Sequence, residues 1–159
     1  MTDFSTPQLP SLGIIAELED DDRRLLSNYG EFLPAEAQQN IITEGDAQDS
    51  LYFIISGLLH VHSLKDNKRT LLGRIEPGET FGEVNVFDPG VASANVTAQK
   101  FSQIWKANGE DLKSFAKAYP EVGIRLFTGL LAEMSKRIRA TNEKLSAAEL
   151  NAVVQSMWH

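Results

Sequence analysis

The spacing of apolar residues changes abruptly near Asn108, and this change restricts the possible folds more than any other feature of the chain. From Glu31 to Ala107 apolar residues come in short runs broken by turn signals. Ser50–Ser56 (SLYFIIS) is aromatic and β-branched, and Gly57 separates it from LLHVHS at 58–63. Lys65-Asp66-Asn67-Lys68 reads as a polar hairpin tip, after which Arg69–Ile75 returns. Pro77-Gly78 is a turn pair, and Ala94–Ala98 and Gln103–Lys106 complete the set. Strands this short and this regularly spaced predict an all-β barrel or sandwich-like body.

The flanks read as helical. The lead-in through Pro10 is extended, and Asp20–Asn28 is predicted as a short helix with an acidic N-terminal end, stopped by Tyr29-Gly30. Gly109-Glu110-Asp111 opens another helix, and Tyr119-Pro120 marks a break before the next. After it Ile124, Phe127, Leu131, Met134, Ile138, Thr141, Leu145, Ala148 and Ala152 alternate spacings of three and four. That is a heptad seam, and its length past Leu145 exceeds what one small barrel can cover, which points to a parallel homodimer. Ser146-Ala147-Ala148-Glu149 is also a capping box, allowing a fresh helix from Ala147 with Leu150, Val153, Val154 and Met157 on one face. Continuation and interruption both stay open at this point.

A chain of 159 residues suits one domain. The net charge of −7 argues against nonspecific nucleic-acid binding through the whole surface. The absence of cysteine excludes disulfides, thiolate metal sites and cysteine nucleophiles. Met1-Thr2-Asp3 is not the start of a signal peptide, and Ser50–Leu64, though uncharged, is too short to span a bilayer as a helix. A cytoplasmic location without membrane attachment is the expectation.

The chemistry concentrates in Pro77–Ala98, PGETFGEVNVFDPGVASANVTA. A turn leads into Phe81-Gly82-Glu83, then a short apolar helical turn, a loop with Pro89-Gly90, and a strand. Gly82 lacks a Cβ, so its backbone can approach a ligand closely. The amides from Gly82 to Val84 would face an anion, whereas the Glu83 carboxylate suits hydroxyl donors such as those of a ribose.

This segment resembles the phosphate-binding cassette of cyclic-nucleotide-binding domains, as in catabolite activator proteins and the regulatory subunits of cAMP-dependent kinase. The resemblance runs from about Leu25 to Leu145. It includes Glu44-Gly45-Asp46, Ser56-Gly57, Pro77-Gly78, Phe81-Gly82-Glu83 and Ala94-x-Val96-x-Ala98. It implies a mainly β fold with flanking helices, namely a double-stranded β-helix (β-roll or jelly roll) with a short N-terminal and a long C-terminal helix. The corresponding division is a lead-in at 1–19, a ligand-binding-like domain at 20–145 and a helical extension at 146–159.

The resemblance also implies roles. Gly82 would give its amide to a cyclic phosphate with Val84 beside it, Glu83 would hold the ribose, and Ser93, next to Ala94, would add a hydroxyl and an amide. Val61 and Leu72 would line the sugar and base side. Arg137, Thr141 and Asn142 fall where catabolite-activator-like proteins touch the base. The expected ligand is cAMP or cGMP, and no cofactor or metal is implied. One departure stands out: the family's arginine, two residues before the alanine matched by Ala94, is Ala92 here. A charged hydrogen bond to phosphate contributes about 1.5–3 kcal/mol, so its loss weakens binding about tenfold to a hundredfold.

Two further clusters have plainer readings. His60 and His62 share one strand face and resemble the first metal motif of cupins, but no histidine follows before His159 to complete a site. The resemblance to cyclic-nucleotide-binding domains implies that Leu59 and Val61 face inward, which puts both histidines outside the barrel. Lys136, Arg137, Arg139 and Lys144 make the stretch 125–144 locally basic. Family members that bind DNA append a helix-turn-helix module, for which about fifteen residues after the seam are too few, so direct DNA binding is not expected. The reading is a non-catalytic sensor in which a ligand repositions the C-terminal dimerisation helix, possible protein partners included. The alternative is a degenerate domain without nucleotide binding, serving as a constitutive dimerisation or docking module.

Overall fold

The computed structural model describes residues 7–158; the first six residues of the lead-in and His159 lie outside the described residues. A single 3-10 turn at Gly13–Ile15 precedes α1 (Asp20–Ser27), whose first turn carries Asp20, Asp21 and Asp22 where acidic side chains favour the helix dipole. Ser27 anchors this end of the chain. Its hydroxyl accepts from the Leu9 amide at 2.9 Å and donates to the Arg23 carbonyl at 2.7 Å.

Among the described residues ten antiparallel strands form the body. One sheet orders β1 (Glu31–Ala35), β10 (Ser102–Asn108), β4 (Ser50–Ser56) and β7 (Thr80–Phe81). The other orders β2 (Asn40–Ile42), β9 (Asn95–Ala98), β5 (Leu59–Lys65) and β6 (Lys68–Ile75). A small ribbon pairs β3 (Ala47–Gln48) with β8 (Gly90–Val91). This is the β-roll that the resemblance implied, and the all-β body that the short strands predicted. The hairpin tip at Asp66-Asn67 adopts positive φ at both residues, the conformation a two-residue turn between twisted strands requires.

β4 explains why the strand reads as an unbroken apolar run. Tyr52 and Ile54 face the barrel interior with Leu59, Phe81, Val96 and Ile104. Leu51 and Phe53 face the opposite way, into a second core with Leu26, Trp105, Leu112, Phe115, Leu126 and Leu130. Both faces are buried, so alternation disappears.

The second core is closed by α3 (Gly109–Ala118), capped by Asn108 accepting from the Asp111 amide at 2.8 Å, and by the start of α4 (Pro120–Met157). Pro120 occupies the first turn of α4, where its missing N–H costs nothing. At 38 residues α4 is about 57 Å long. Only Gly123, Leu126 and Leu130 are buried along it. The helix passes through Ser146 without interruption, so the capping-box pattern at 146–149 starts no new helix. Ile124, Leu131, Ile138 and Leu145, each seven residues apart, are 57–66% exposed. Among the described residues no helix is long and apolar enough to cross a membrane.

Candidate functional site

Between β7 and β8 lies α2 (Glu83–Val86), a single helical turn beside a cleft of about 120 Å³. Gly82 begins it with φ of +82°. That left-handed conformation is open to glycine and strained for a β-branched or bulky residue. Space decides the position as well: a Cβ at Gly82 would collide with the Ser50 carbonyl oxygen and lie 2.7 Å from Gln48 Nε2. Gln48 is itself fixed by donating to that same carbonyl at 3.0 Å.

The cleft gathers Val61, Gly82, Val84, Ala92, Ser93 and Ala94 from the residues expected at the ligand. Ile42, Gln48, Phe81, Asn85 and Val96 complete its wall. Val96 was legible from strand alternation, since it shares a face with Ala94 and Ala98. Gln48 was not, because a two-residue strand has no period to read. Ser93 and Val84 are exposed at the rim, whereas Ala92 is 6% exposed and packs into the barrel core. The Ala92 amide donates to the Asp46 carbonyl and its own carbonyl accepts from the Gly45 amide, both at 2.8 Å.

Glu83 and Arg137 are brought together outside that wall. Arg137 Nη1 is ion-paired with Glu83 Oε1, and Arg137 Nη2 donates to the Thr80 carbonyl at 2.7 Å. The Glu83 side chain is 10% exposed, and its Oε2 is buried without a hydrogen-bond partner. A second link joins the cassette to the same helix: Phe87, just past α2, meets Phe127 edge-on with ring centroids 5.3 Å apart.

Besides Glu83 and Arg137, three more expected residues stand apart from the cleft wall. Leu72 is exposed on β6 at the irregularity where Gly73 pairs with Val61 and Leu71 with His62. Thr141 and Asn142 are exposed on α4, about one turn beyond Arg137.

The histidine pair lies away from the cleft, on the outer face of β5. Leu59 and Val61 point inward, and His62 Nε2 meets Thr97 Oγ1 at 2.9 Å. Burial lowers the pKa of His62 below its ordinary 6.5, with Arg69 and His60 adding to the effect and Glu44 opposing it. Among the described residues no group of three or more His, Asp or Glu side chains is placed to hold a metal ion.

Residues 33–119 match the family model described as Cyclic nucleotide-binding domain. The chain is similar to the CRP-like cAMP-activated global transcriptional regulator of Mycobacterium tuberculosis, 30% identical over 107 residues that cover 67% of this chain and 46% of the regulator. It is also similar to Glutaminase 1 of Bradyrhizobium diazoefficiens, 26% identical over 140 residues, 88% of this chain and 22% of the enzyme. Among solved structures, the N-terminal domain of a transcriptional regulator from Streptomyces coelicolor A3(2) superposes with a TM-score of 0.68 at 26% identity, covering 83% of this chain and 90% of that one. The chain thus spans less than half the length of these two curated relatives.

Proposed function

Since the chain belongs to the cyclic nucleotide-binding domain family, we propose that it is a non-catalytic regulatory module in which ligand entry at the cleft moves α4. The observation that carries this reading is the pairing of Arg137 with Glu83 and the Thr80 carbonyl. A ligand hydroxyl that hydrogen-bonds to Glu83 changes what Arg137 is bound to, and Arg137 sits on α4. Phe87 against Phe127 gives the same helix a second grip on the cassette. Such coupling works only through differential affinity of the ligand for two helix positions.

The moving part acts as a homodimer seam. Ile124, Leu131, Ile138 and Leu145 present an exposed a-position ladder that a second copy in parallel would cover. In that register Lys144 precedes Glu149 of the other helix at g and e positions, an attractive pair. Residues 20–145 form the responsive body, and the extension from 146, helical through Met157, reaches toward a protein partner. The module acts in the cytoplasm and does not itself bind DNA.

Gly82, Val84, Ser93 and Ala94 then border the ligand, Val61 and Leu72 lie toward its sugar and base, and Thr141 and Asn142 reach it from the helix. A cyclic nucleotide, cAMP or cGMP, is the family's ligand, and Ala92 leaves its phosphate without the cationic partner. The second reading, a constitutive dimerisation or docking module, is favoured by the cleft's volume. About 120 Å³ is small against the roughly 300–1,000 Å³ of typical ligand pockets.

Calorimetric titration with cAMP and cGMP separates the two. Heat at or below hundred-micromolar ligand supports the sensor. Silence from the natural chain together with binding by Ala92→Arg marks a pocket that lacks only its cation. Silence from both leaves the docking module.

A further inference from the structure

We infer that the cleft selects an uncharged nucleoside over its cyclic phosphate. The inference rests on reading the cleft as a ligand pocket and specifies what that pocket accepts. None of the eleven residues of the cleft wall carries a charge. The cassette, 77–98, contains no lysine or arginine. It carries three carboxylates, Glu79, Glu83 and Asp88. Asp46 adjoins the cassette, since its carbonyl accepts from the amide of Ala92.

Arg137 and Lys106 have other partners. Arg137 is committed to Glu83 and the Thr80 carbonyl. Lys106 stands 5.6 Å from the Tyr52 ring centroid and lines a separate polar concavity with Glu31, Asp49 and Asp111. An anionic phosphate at Ala92 would therefore lose its water against an uncharged wall in a chain of net charge −7, with no cationic side chain in that wall to replace it.

A neutral ligand meets none of these costs. Gln48, Asn85 and Ser93 offer amide and hydroxyl groups, while Ile42, Val61 and Val96 offer apolar surface to its body. Neutral side chains with both donors and acceptors suit sugar hydroxyls and base edges. At about 120 Å³ the cleft holds only part of a nucleoside, and the remainder lies outside it.

The test titrates the full chain with adenosine and with cAMP, which differ by the charged cyclic phosphate, at low and high salt. Adenosine is expected to bind about tenfold or more tighter than cAMP, with an affinity that salt leaves unchanged. The cAMP affinity should rise with salt, as screening relieves repulsion. Affinity for cAMP equal to or above that for adenosine overturns the inference but leaves the sensor reading intact. No heat from either ligand at hundred-micromolar concentration overturns both. Ala92→Arg adds a second arm: it should reverse the preference toward cAMP, and a folded variant that still prefers adenosine by the same factor argues against charge as the selecting property.

Discussion

Arg137 and Glu83, fifty-four residues apart, form an ion pair that ties the long helix to the turn beside the cleft. The two ends of this pair differ in burial: the Glu83 side chain is 10% exposed and that of Arg137 is 39% exposed. The carboxylate therefore depends on the guanidinium more than the reverse.

Arg137→Ala should destabilise the fold by about 1–2 kcal/mol, because it strands a buried carboxylate. The lower part of the usual range applies, since the guanidinium is partly screened by water. Thermal melting should fall by about 2–4 °C for each kcal/mol lost. The double variant Arg137→Ala with Glu83→Gln should recover part of the loss. A melting point unchanged in the single variant would mean that Glu83 is solvated without Arg137.

Gly82→Ala should cost about 2 kcal/mol or more. The added Cβ meets both a positive φ and the Ser50 carbonyl, two penalties at one position. Urea denaturation measures the loss, and a midpoint equal to that of the natural chain would show that the turn can rearrange freely.

Leu131→Asp or Ile138→Asp should convert a dimer to a monomer while leaving the barrel folded. Both side chains are exposed on the isolated protomer, so the change costs little there and a great deal in a shared seam. A loss of about 3 kcal/mol at the interface loosens the dimer by more than a hundredfold. Sedimentation velocity at micromolar concentration reads this directly. A monomeric natural chain would remove the dimer from the proposed mechanism.

His62 should make stability fall in mild acid. Its pKa is held below the ordinary 6.5, chiefly by burial, so the folded state resists a proton that the unfolded chain accepts. The stabilising contribution is complete above 6.5 and is lost as pH falls through the lower folded value. His62→Gln should flatten that part of the stability profile between pH 7.5 and 5.5. An unaltered profile would place the acid sensitivity on the carboxylates.

Much of the architecture was legible because it rests on local chemistry. The β4 run SLYFIIS, the Pro120 break and the capped start of α3 each depend on residues within a few positions of one another. β3, β7 and β8 had no such signature, for at two residues each they exist only through their partners across the roll. The cassette was readable as a pattern around Gly82, and Gln48 in the cleft wall was not, since nothing in its own neighbourhood marks it.

By itself the sequence determined the kind of fold, the place of the cassette and the absence of a cation from it. Periodicity, turn residues and charge are properties of short stretches and survive without a fold. Only the tertiary structure decided that Arg137 meets Glu83 instead of standing free, that Leu72 lies on the exposed strand, and that α4 runs unbroken through Ser146. The first two depend on chain closure over long separations. The third is a choice between two locally acceptable backbones, a cap or another helical turn, and at Ser146 the helix keeps its hydrogen bonds and continues.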